Sequence, residues 1–487
     1  MSSTTAARLR PGMQPGLRPG LRPRRPAFDM RTLWGDALVF LISAVGFLDI
    51  TLIGQLPYSE ILTLALLPAL LATQAKTIFR KEYRTIYILM GLWLLNQVIT
   101  DVYRDMPLDN RAKGIARVVF FAVDVMVLSS LVGTNLRRIR LFFLGMAVSY
   151  SGSWLLHPLK GGIAVAWKMG LGNAFAIVFL LIGCYHYSQK RKSSVSVVIL
   201  LALAASYLHF GARSGAFIYG AAAVLLLPPF SPRKQGSAKP PLGRLAKVAL
   251  LLVAGAAVAW ISQEAVYWMV HSGLYSQTET NKFEGQAQGK MGVIFGGRPE
   301  GPVAIRAIMD SPILGHGSYA SDMKYTIMLQ DYQYEWGYDP SDVTPDPDEP
   351  EGIPTHSHLT GAWVEAGVLG GVFWFYMLGL VCQSVFRLTE IRHPLAPLYL
   401  LSFIGFFWDI LFSPFGNLRR VTEAFIIVLM VNLVRKPPIK IRTGWRVRQG
   451  PIPRARHLWR SLGRPAPIAP AAGLRRPLSE RPPWSPG

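Results

Sequence analysis

Three short stretches of the sequence carry ionisable side chains directly beside long apolar segments. Arg213 lies in Gly211-Ala-Arg-Ser-Gly215, between two apolar runs that leave no loop long enough to keep it in water. An arginine at membrane depth costs at least about 2.5 kcal/mol, so it is expected to face a partner, a cavity or a substrate. A bidentate, permanently charged guanidinium suits phosphate oxygens. The alternative is an arginine that snorkels to the membrane interface.

Arg298 is the second such residue. It follows a Gly-Gly turn and precedes a helical pattern at Val303–Ile308, which is expected to stop at Asp310-Ser311-Pro312. Arg306 lies one or two turns further along and is a possible secondary binding residue. The alternative for Arg298 is an ordinary solvated loop arginine.

The third stretch is the histidine pair His356 and His358. Thr355 is the expected N-cap of the following apolar helix, which would put His356 in its first turn. The helix dipole there disfavours an imidazolium, keeps the ring able to accept a proton, and favours a nearby phosphate. The alternatives are an interfacial structural histidine and a zinc site. Zinc is disfavoured because residues at i and i+2 of a helix do not share a face and no cysteine joins them.

The composition is that of a membrane protein. Hydrophobic residues make up 51% of the 487 residues and charged residues only 16%, against about 25% charged residues in soluble domains. The apolar residues form blocks long enough to span a bilayer, which excludes a soluble enzyme, a disulfide scaffold and a disordered protein. We expect an all-α polytopic membrane protein with about twelve transmembrane helices, at 33–56, 59–75, 84–101, 114–132, 141–157, 170–187, 195–211, 214–230, 245–262, 359–386, 395–413 and 420–434.

The loops indicate the topology. With the N-terminus in the cytoplasm, all six inner connections are rich in Lys and Arg, as the positive-inside rule requires. Two outer connections, Arg104–Lys113 and Arg419–Arg420, are exceptions. The expected organisation is a tail at 1–32, nine spans within 33–262, a periplasmic loop at 263–355, three spans within 356–434, and a tail at 435–487, with both termini cytoplasmic.

Most of the positive charge lies in the two tails. The formal net charge is +23, of which residues 1–31 supply +6 and residues 435–487 supply +12. Both tails are rich in Pro and Arg and are expected to be disordered. No groove-reading motif accompanies the charge, so we expect contact with anionic membrane lipids and no nucleic-acid partner.

The long outer loop has the opposite charge. Residues 263–355 hold 14 acidic and five basic side chains, and a loop of this length is usually functional. An interfacial helix is expected at Glu264–Gly273, and an irregular stretch at Asp339–Pro354. The acidic residues lack the spacing of a calcium loop. Aromatic residues between Tyr332 and Tyr338 suit either sugar stacking or packing on the membrane face.

In order and topology, these stretches resemble the bacterial O-antigen ligase and polymerase family of membrane glycosyltransferases. Gly211-Ala-Arg213-Ser-Gly-Ala is similar to the family's Ser-Arg-Gly-Ala segment. Arg298 followed by Pro312-Ile-Leu-Gly315-His-Gly317 resembles its loop block. His356-Ser-His-Leu with Glu365-Ala-Gly367 resembles its His-Asn-x-x-Leu and Glu-x-Gly segment. Ser357 in place of Asn, Ala212 in place of Ser and the missing Trp after Arg298 are departures.

The resemblance implies a transferase at the periplasmic face of a bacterial inner membrane. Its donor would be an undecaprenyl-diphosphate-linked glycan, and its acceptor lipid A-core or a growing polysaccharide. Arg213 and Arg298 would bind the pyrophosphate, and His356, or else His358, would take the acceptor proton. The motif spacing favours His356. No metal and no cofactor are expected.

Three alternatives stay open from the sequence. The transferase could be a polysaccharide polymerase rather than a ligase, since the acceptor pocket has no recognisable motif. A polytopic transporter would also have about twelve spans, but would be expected to show internal repeats and interrupted helices. An assembly protein with partner-recruiting tails would leave Arg213 without a role.

Overall fold

The computed structural model describes residues 30–51, 54–156, 162–190, 193–228, 230–232, 243–273, 298–335 and 352–435, together with residues 280 and 283. The described helices are α1 (Met30–Ala44), α2 (Tyr58–Ile78), α3 (Lys81–Tyr103), α4 (Leu108–Leu131), α5 (Leu136–Leu156), α6 (Gly162–Ala166), α7 (Gly172–Lys190), α8 (Ser194–His209), α9 (Arg213–Leu225), α10 (Arg244–His271), α11 (Glu300–Asp310), α12 (Met323–Glu335), α13 (His358–Glu390), α14 (Ala396–Phe412) and α15 (Asn417–Arg435). A π-helical turn, Trp167–Leu171, joins α6 to α7.

The chain is a mostly helical membrane protein, as the composition predicts. Six helical segments of the described chain are long and apolar enough to cross a bilayer: Tyr58–Ile78, Lys81–Tyr103, Leu108–Leu131, Leu136–Leu156, Gly162–Gln189 and His358–Glu390. A helix also lies at each of the other six predicted span positions. That all twelve cross the membrane stays a prediction. Most of the two predicted tails, residues 1–29 and 436–487, lies outside the described residues.

Helix α3 shows why the bundle suits lipid rather than water. One face exposes large apolar side chains, namely Ile88, Leu92, Leu95 and Ile99. Its opposite face buries polar ones, namely Asn96, Gln97, Thr100 and Asp101. This is the reverse of a helix on a water-soluble protein, whose apolar stripe faces the core. A bilayer solvates the apolar face, while the polar face must find hydrogen-bond partners inside the protein.

An aromatic cluster joins helices α3, α4 and α13. Trp93 of α3 packs against Phe373 and Trp374 of α13, with ring centroids 5.3 and 6.0 Å away. Phe121 of α4 stacks on Trp374, and Phe415 contacts Phe121 at 5.0 Å. Rings of this size bury large apolar areas and lock their neighbours in place. The cluster therefore sets the spacing of α3, α4 and α13.

Helix α13 is broken near its start. Ala366 and Gly367 leave helical geometry, and Gly367 has φ 60° and ψ −158°, a backbone region open in practice only to glycine. A Cβ at Gly367 would collide with the carbonyl of Ile313. The amide of Val368 donates to that same carbonyl at 3.2 Å. The break therefore lets a segment of the long loop replace part of the helix's own hydrogen bonding.

The described part of the long loop contains two short helices with a small core of their own. The predicted helix at Val303–Ile308 is confirmed as α11, which ends with Ser311 as its C-cap. Val303 and Ala307 of α11 pack with Tyr325 and Leu329 of α12. The predicted interfacial helix at Glu264–Gly273 continues α10, which runs to His271 without interruption. Residues 336–351, including most of the predicted irregular stretch, lie outside the described chain.

Two sequence expectations about helix ends are wrong. The first predicted span, 33–56, ends early: α1 stops at Ala44, and strands β1 (Asp49–Thr51) and β2 (Gln55–Pro57) form an antiparallel hairpin instead. The N-cap of α13 is Ser357 rather than Thr355, because the Ser357 hydroxyl accepts the amide of Thr360 at 3.1 Å. His356 therefore precedes the cap, and His358 is the first residue of the helix.

Candidate functional site

A cavity of about 770 Å³ opens where several helices begin or end at one end of the bundle. Contributions come from the β-hairpin, α3, the start of α4, the loop after α11, the start of α13 and the start of α15. Its charged and polar lining side chains are Gln55, Lys113, Arg117, Tyr319, Thr355, Ser357, His358, Glu365, Asn417 and Arg420.

The buried face of α3 holds the long loop against this cavity. Asn96 donates from Nδ2 to the carbonyl of Ile313 at 3.2 Å and also to the carbonyl of Ala366. The hydroxyl of Thr100 donates to the carbonyl of Leu314 at 2.5 Å. One face of a membrane helix thus satisfies carbonyls of both the loop and the broken helix.

Two charged residues at the end of α3 continue the same attachment. The Asp101 carboxylate accepts the Ser318 amide at 2.7 Å and the Ser318 hydroxyl at 2.6 Å. The Arg104 guanidinium donates to the Ser311 hydroxyl at 2.8 Å and to the Gly315 carbonyl at 3.1 Å. Hydrogen bonds to charged groups are stronger than neutral ones. The segment 311–318 is therefore anchored at both ends.

Two of the three sequence stretches meet in space at the break in α13. The amide of His316 donates to the carbonyl of Val364 at 2.7 Å, and the amide of Gly317 donates to that of Glu365 at 3.0 Å. Gly315 and Gly317 both have positive φ, at 86° and 98°. Gly315 and Gly317 of the loop and Gly367 of the broken helix therefore allow the two backbones to approach each other closely.

Glu365 also places a charge at the cavity wall. Its carboxylate pairs with the guanidinium of Arg117 from α4. The side chains are 15% and 11% exposed, so both line the cavity from a largely buried position. The guanidinium carbon lies 5.2 Å from the ring centroid of Tyr319. Helix α4, the loop and the broken helix therefore converge on one ion pair.

A second buried ion pair lies beside the first. Arg420 of α15 donates to both carboxylate oxygens of Glu60 in α2, with the Nη2 contact at 2.7 Å. Glu60 is fully buried and Arg420 nearly so. A bidentate pair of this kind fixes two helices in orientation as well as in distance.

His358 is structurally engaged. Its Nδ1 lies 2.6 Å from the carbonyl of Ser413 and its Nε2 lies 2.7 Å from the carboxyl of Glu423. A carbonyl only accepts, so Nδ1 carries a proton, and a second proton is shared between Nε2 and Glu423. The ring is fully buried. Both nitrogens of His358 are therefore committed to holding α13 against α15 and the segment before it.

His356 has a different environment. Its side chain is exposed, and it is not among the described residues that line the cavity. Partial desolvation by the surrounding protein lowers the pKa of His356 most, and the cations of Arg298 and Arg419 lower it further. The carboxylate of Glu300 acts in the opposite direction and raises it. The direction agrees with the neutral imidazole expected from the sequence. The cause is different, because desolvation and neighbouring cations take the place of a helix dipole.

The structure thus brings Arg298 and His356 within electrostatic range of each other. Arg298 is half-buried and lies just before α11, which starts at Glu300. Arg306 faces outward on α11 and pairs with Asp310 at 3.1 Å. Together with Lys324 and Tyr325, it holds the pKa of the Asp310 carboxyl at about 2. Arg306 therefore belongs to a local ion pair on the loop surface.

Arg213 is the first residue of α9 and is half-buried. One turn later, the ring of Phe217 lies 5.6 Å from that of Trp408, near the end of α14. The neighbouring Asp409 pairs with Arg419, the cation that acts on His356. The start of α9 therefore lies at the same end of the bundle as the other two stretches.

The sequence pattern missed Arg117, Arg419 and Arg420 as site residues, although it contained a signal for the last two. Arg104–Lys113 and Arg419–Arg420 are the predicted outer connections that disobey the positive-inside rule. In the structure, Arg104 anchors the loop, while Lys113 and Arg420 line the cavity. Basic residues in a connection that is predicted to be outer, against the charge bias, are a sign of a binding or structural role there.

Within the described chain, no group of three or more His, Cys, Asp or Glu side chains could hold a metal ion. His356 and His358 do not form a paired site, since both ring nitrogens of His358 are engaged elsewhere. Compared with models of known protein families and with curated proteins, the sequence matches none of them.

Proposed function

We propose that this chain is a membrane glycosyltransferase of the O-antigen ligase and polymerase type. It would transfer a glycan from undecaprenyl diphosphate to a hydroxyl of lipid A-core or of a growing polysaccharide, at the periplasmic side of a bacterial inner membrane. The observation that carries the proposal is the exposed His356 within electrostatic range of Arg298 and Arg419, at the end of the bundle where the cavity opens. Membrane lipids are its surroundings, and nucleic acid is not a partner.

The chemistry follows from the groups gathered there. His356 accepts the proton of the acceptor hydroxyl, and the freed oxygen attacks the anomeric carbon of the donor. The bond from that carbon to the diphosphate oxygen breaks, and the diphosphate leaves with the electron pair. Arg298 and Arg213 stabilise the charge on the leaving group. Direct displacement inverts the anomeric centre, and no step requires a metal ion.

The His356 assignment is supported by its contrast with His358. A base must reach the hydroxyl whose proton it takes, and it must have a free ring nitrogen. His356 is exposed and its pKa is lowered, so its ring is neutral near pH 7. His358 uses both nitrogens in structural contacts.

The break in helix α13 favours a transporter, because transporters bind ions and substrates at breaks in their membrane-spanning helices. An ion would coordinate the backbone groups that the break releases. In α13, however, the amides of His316 and Gly317 already occupy the carbonyls of Val364 and Glu365. The break therefore supports loop attachment better than ion binding.

A transfer assay with His356→Gln tests the proposal. The protein is placed in liposomes with an undecaprenyl-diphosphate oligosaccharide, and both turnover and donor binding are measured. We expect turnover to fall by about 10²- to 10⁴-fold with donor binding unchanged. His271→Gln is the matched control, because His271 is exposed at the end of α10 and bonds only within its own helix turn among the described contacts. Equal turnover in the two variants would exclude His356 as the base.

A further inference from the structure

The cavity has features that the proposed reaction does not use. Its volume of about 770 Å³ falls in the range of roughly 300–1,000 Å³ for pockets that enclose a drug-sized ligand, the size class of a short oligosaccharide. Aromatic rings and planar polar side chains share its lining, namely Trp93, Phe120, Tyr319, Phe415, Gln55, Arg117, Glu365 and Asn417. Rings that stack and planar groups that bond two hydroxyls at once suit sugars.

Tyr319 is held in an unfavourable backbone conformation at this cavity. Its φ is 50°, and the only other non-glycine residue of the described chain with positive φ is Asp105. Such a φ is rare for a bulky residue, and strain of this kind persists where surrounding contacts enforce it. The neighbouring Ser318 supplies such contacts through Asp101. The Tyr319 ring is 45% exposed. The strained backbone conformation therefore holds this ring at the cavity rather than in a hydrophobic core.

The charges around the cavity are compensated in pairs. Arg117 pairs with Glu365, Arg420 pairs with Glu60, and Lys113 lies 3.2 Å from Asp109. A phosphate would have to compete with these carboxylates for their cations. A neutral hydroxyl does not, because it can accept from a guanidinium and donate to a carboxylate without separating the pair. The balance of charge therefore favours an uncharged, hydroxyl-rich ligand.

We propose that this cavity binds a neutral sugar ring of the acceptor glycan. Tyr319 is the stacking platform, and the Arg117–Glu365 pair bonds adjacent hydroxyls. The extended segment 354–357 carries His356 and contributes Pro354, Thr355 and Ser357 to the cavity lining, so a sugar bound there lies next to the segment that bears the base. The inference rests on the proposed function for the identity of the glycan as acceptor, while the binding itself is independent of turnover.

The test measures glycan binding directly. The full chain, in lipid nanodiscs, is applied to an array of soluble oligosaccharides that includes neutral hexose, deoxyhexose and heptose glycans and their uronic-acid counterparts. Tyr319→Gly removes the ring and relieves the backbone strain, so its thermal unfolding temperature should not fall. Tyr319→Phe keeps the ring. Tyr334→Ala is the matched control, since Tyr334 is an exposed tyrosine on α12 of the same loop and is not among the described lining residues.

We expect the wild type to bind neutral glycans and Tyr319→Gly to bind them at least about tenfold more weakly. Tyr319→Phe and Tyr334→Ala should stay within about twofold of the wild type. Unchanged binding in Tyr319→Gly, binding of acidic glycans alone, or no glycan binding by the wild type would each overturn the inference. Wild-type binding without transfer in the liposome assay would remove the proposed function and leave the sugar site standing. Transfer with an unaltered acceptor KM in Tyr319→Gly would exclude the sugar site and leave the proposed function standing.

Discussion

Arg117 and Glu365 form an ion pair that joins helix α4 to the break in helix α13 at the wall of the cavity. The pair ties three parts of the site together, because Glu365 also accepts the amide of Gly317 through its carbonyl, and Arg117 lies against Tyr319. The loop, the broken helix and α4 therefore share one charged contact.

Removing one charge of this pair should be costly. Glu365→Gln leaves a largely buried guanidinium without its counter-charge, and we expect the free energy of unfolding to fall by about 3 kcal/mol. The double variant Arg117→Met with Glu365→Met should recover much of that loss, since neither charge is left unpaired. Thermal unfolding in detergent measures both. A double variant no more stable than the single one would show that the pair's charges do not determine the loss.

Two glycines of helix α13, Gly367 and Gly379, should respond in opposite ways to alanine. Gly367→Ala introduces a Cβ at positive φ against the carbonyl of Ile313, so we expect a loss of about 2 kcal/mol or more. Gly379→Ala is the control in the same helix. A Cβ there meets nothing within 4 Å, so it should stabilise the chain by about 0.5–1 kcal/mol. If both substitutions lower the stability of the chain, or both raise it, the break at Gly367 does not have the role described.

Asn96 should govern the attachment of the loop more than the stability of the membrane bundle. Asn96→Leu leaves the carbonyls of Ile313 and Ala366 without this donor, at a cost of about 1–3 kcal/mol. Hydrogen exchange of residues 311–318 should become faster, while that of helix α2 should not change. Asn417→Ala, which removes a half-buried amide that donates to Gln55 rather than to the loop, serves as the control. Uniformly faster exchange throughout the chain would point to a global loss of stability instead.

The fold was predictable where hydrophobicity decides it. Blocks of apolar residues predicted the helix positions, because a bilayer imposes length on each spanning segment. The early end of α1 and the hairpin after it were not predictable, since the apolar run continues past Ala44. The break at Gly367 was also hidden, because a glycine in an apolar run looks the same whether the helix continues or not. Only the contact with Ile313 shows which alternative the chain adopts.

The activity should depend on pH through His356. The base is active when neutral, and its lowered pKa keeps it neutral to a lower pH than an ordinary histidine. Activity should therefore rise with pH below the usual histidine value and level off by neutral pH. Arg298→Gln should move the rise to higher pH because a cation is lost, and Glu300→Gln should move it to lower pH because an anion is lost. The pH profile of kcat/KM reports both shifts.

Opposite shifts in these two variants would be hard to explain by a structural role alone. If neither variant moves the profile, the titrating group is not His356. His271→Gln should leave the profile unchanged and controls for a general effect of removing a histidine.

The site was predictable only in part. Residue type and flanking apolar segments singled out Arg298 and His356, which the structure places in electrostatic range. Helix-cap chemistry misled the sequence reading at His356, because Thr355 and Ser357 are both good caps and only the bond from Thr360 distinguishes them. Arg117 could not be assigned, since an arginine inside an apolar helix has no partner visible in sequence until α13 supplies Glu365.

Product analysis shows directly whether the chain transfers a glycan from a lipid diphosphate. The purified chain is placed in liposomes with an undecaprenyl-diphosphate oligosaccharide, alone and with lipid A-core, and the products are followed by mass spectrometry. We expect a lengthened lipid-linked chain, for a polymerase, or glycosylated lipid A-core, for a ligase, and neither product with Arg213→Ala. Absence of both products with the wild type, across donor glycans of varied sugar composition, would contradict the proposed function.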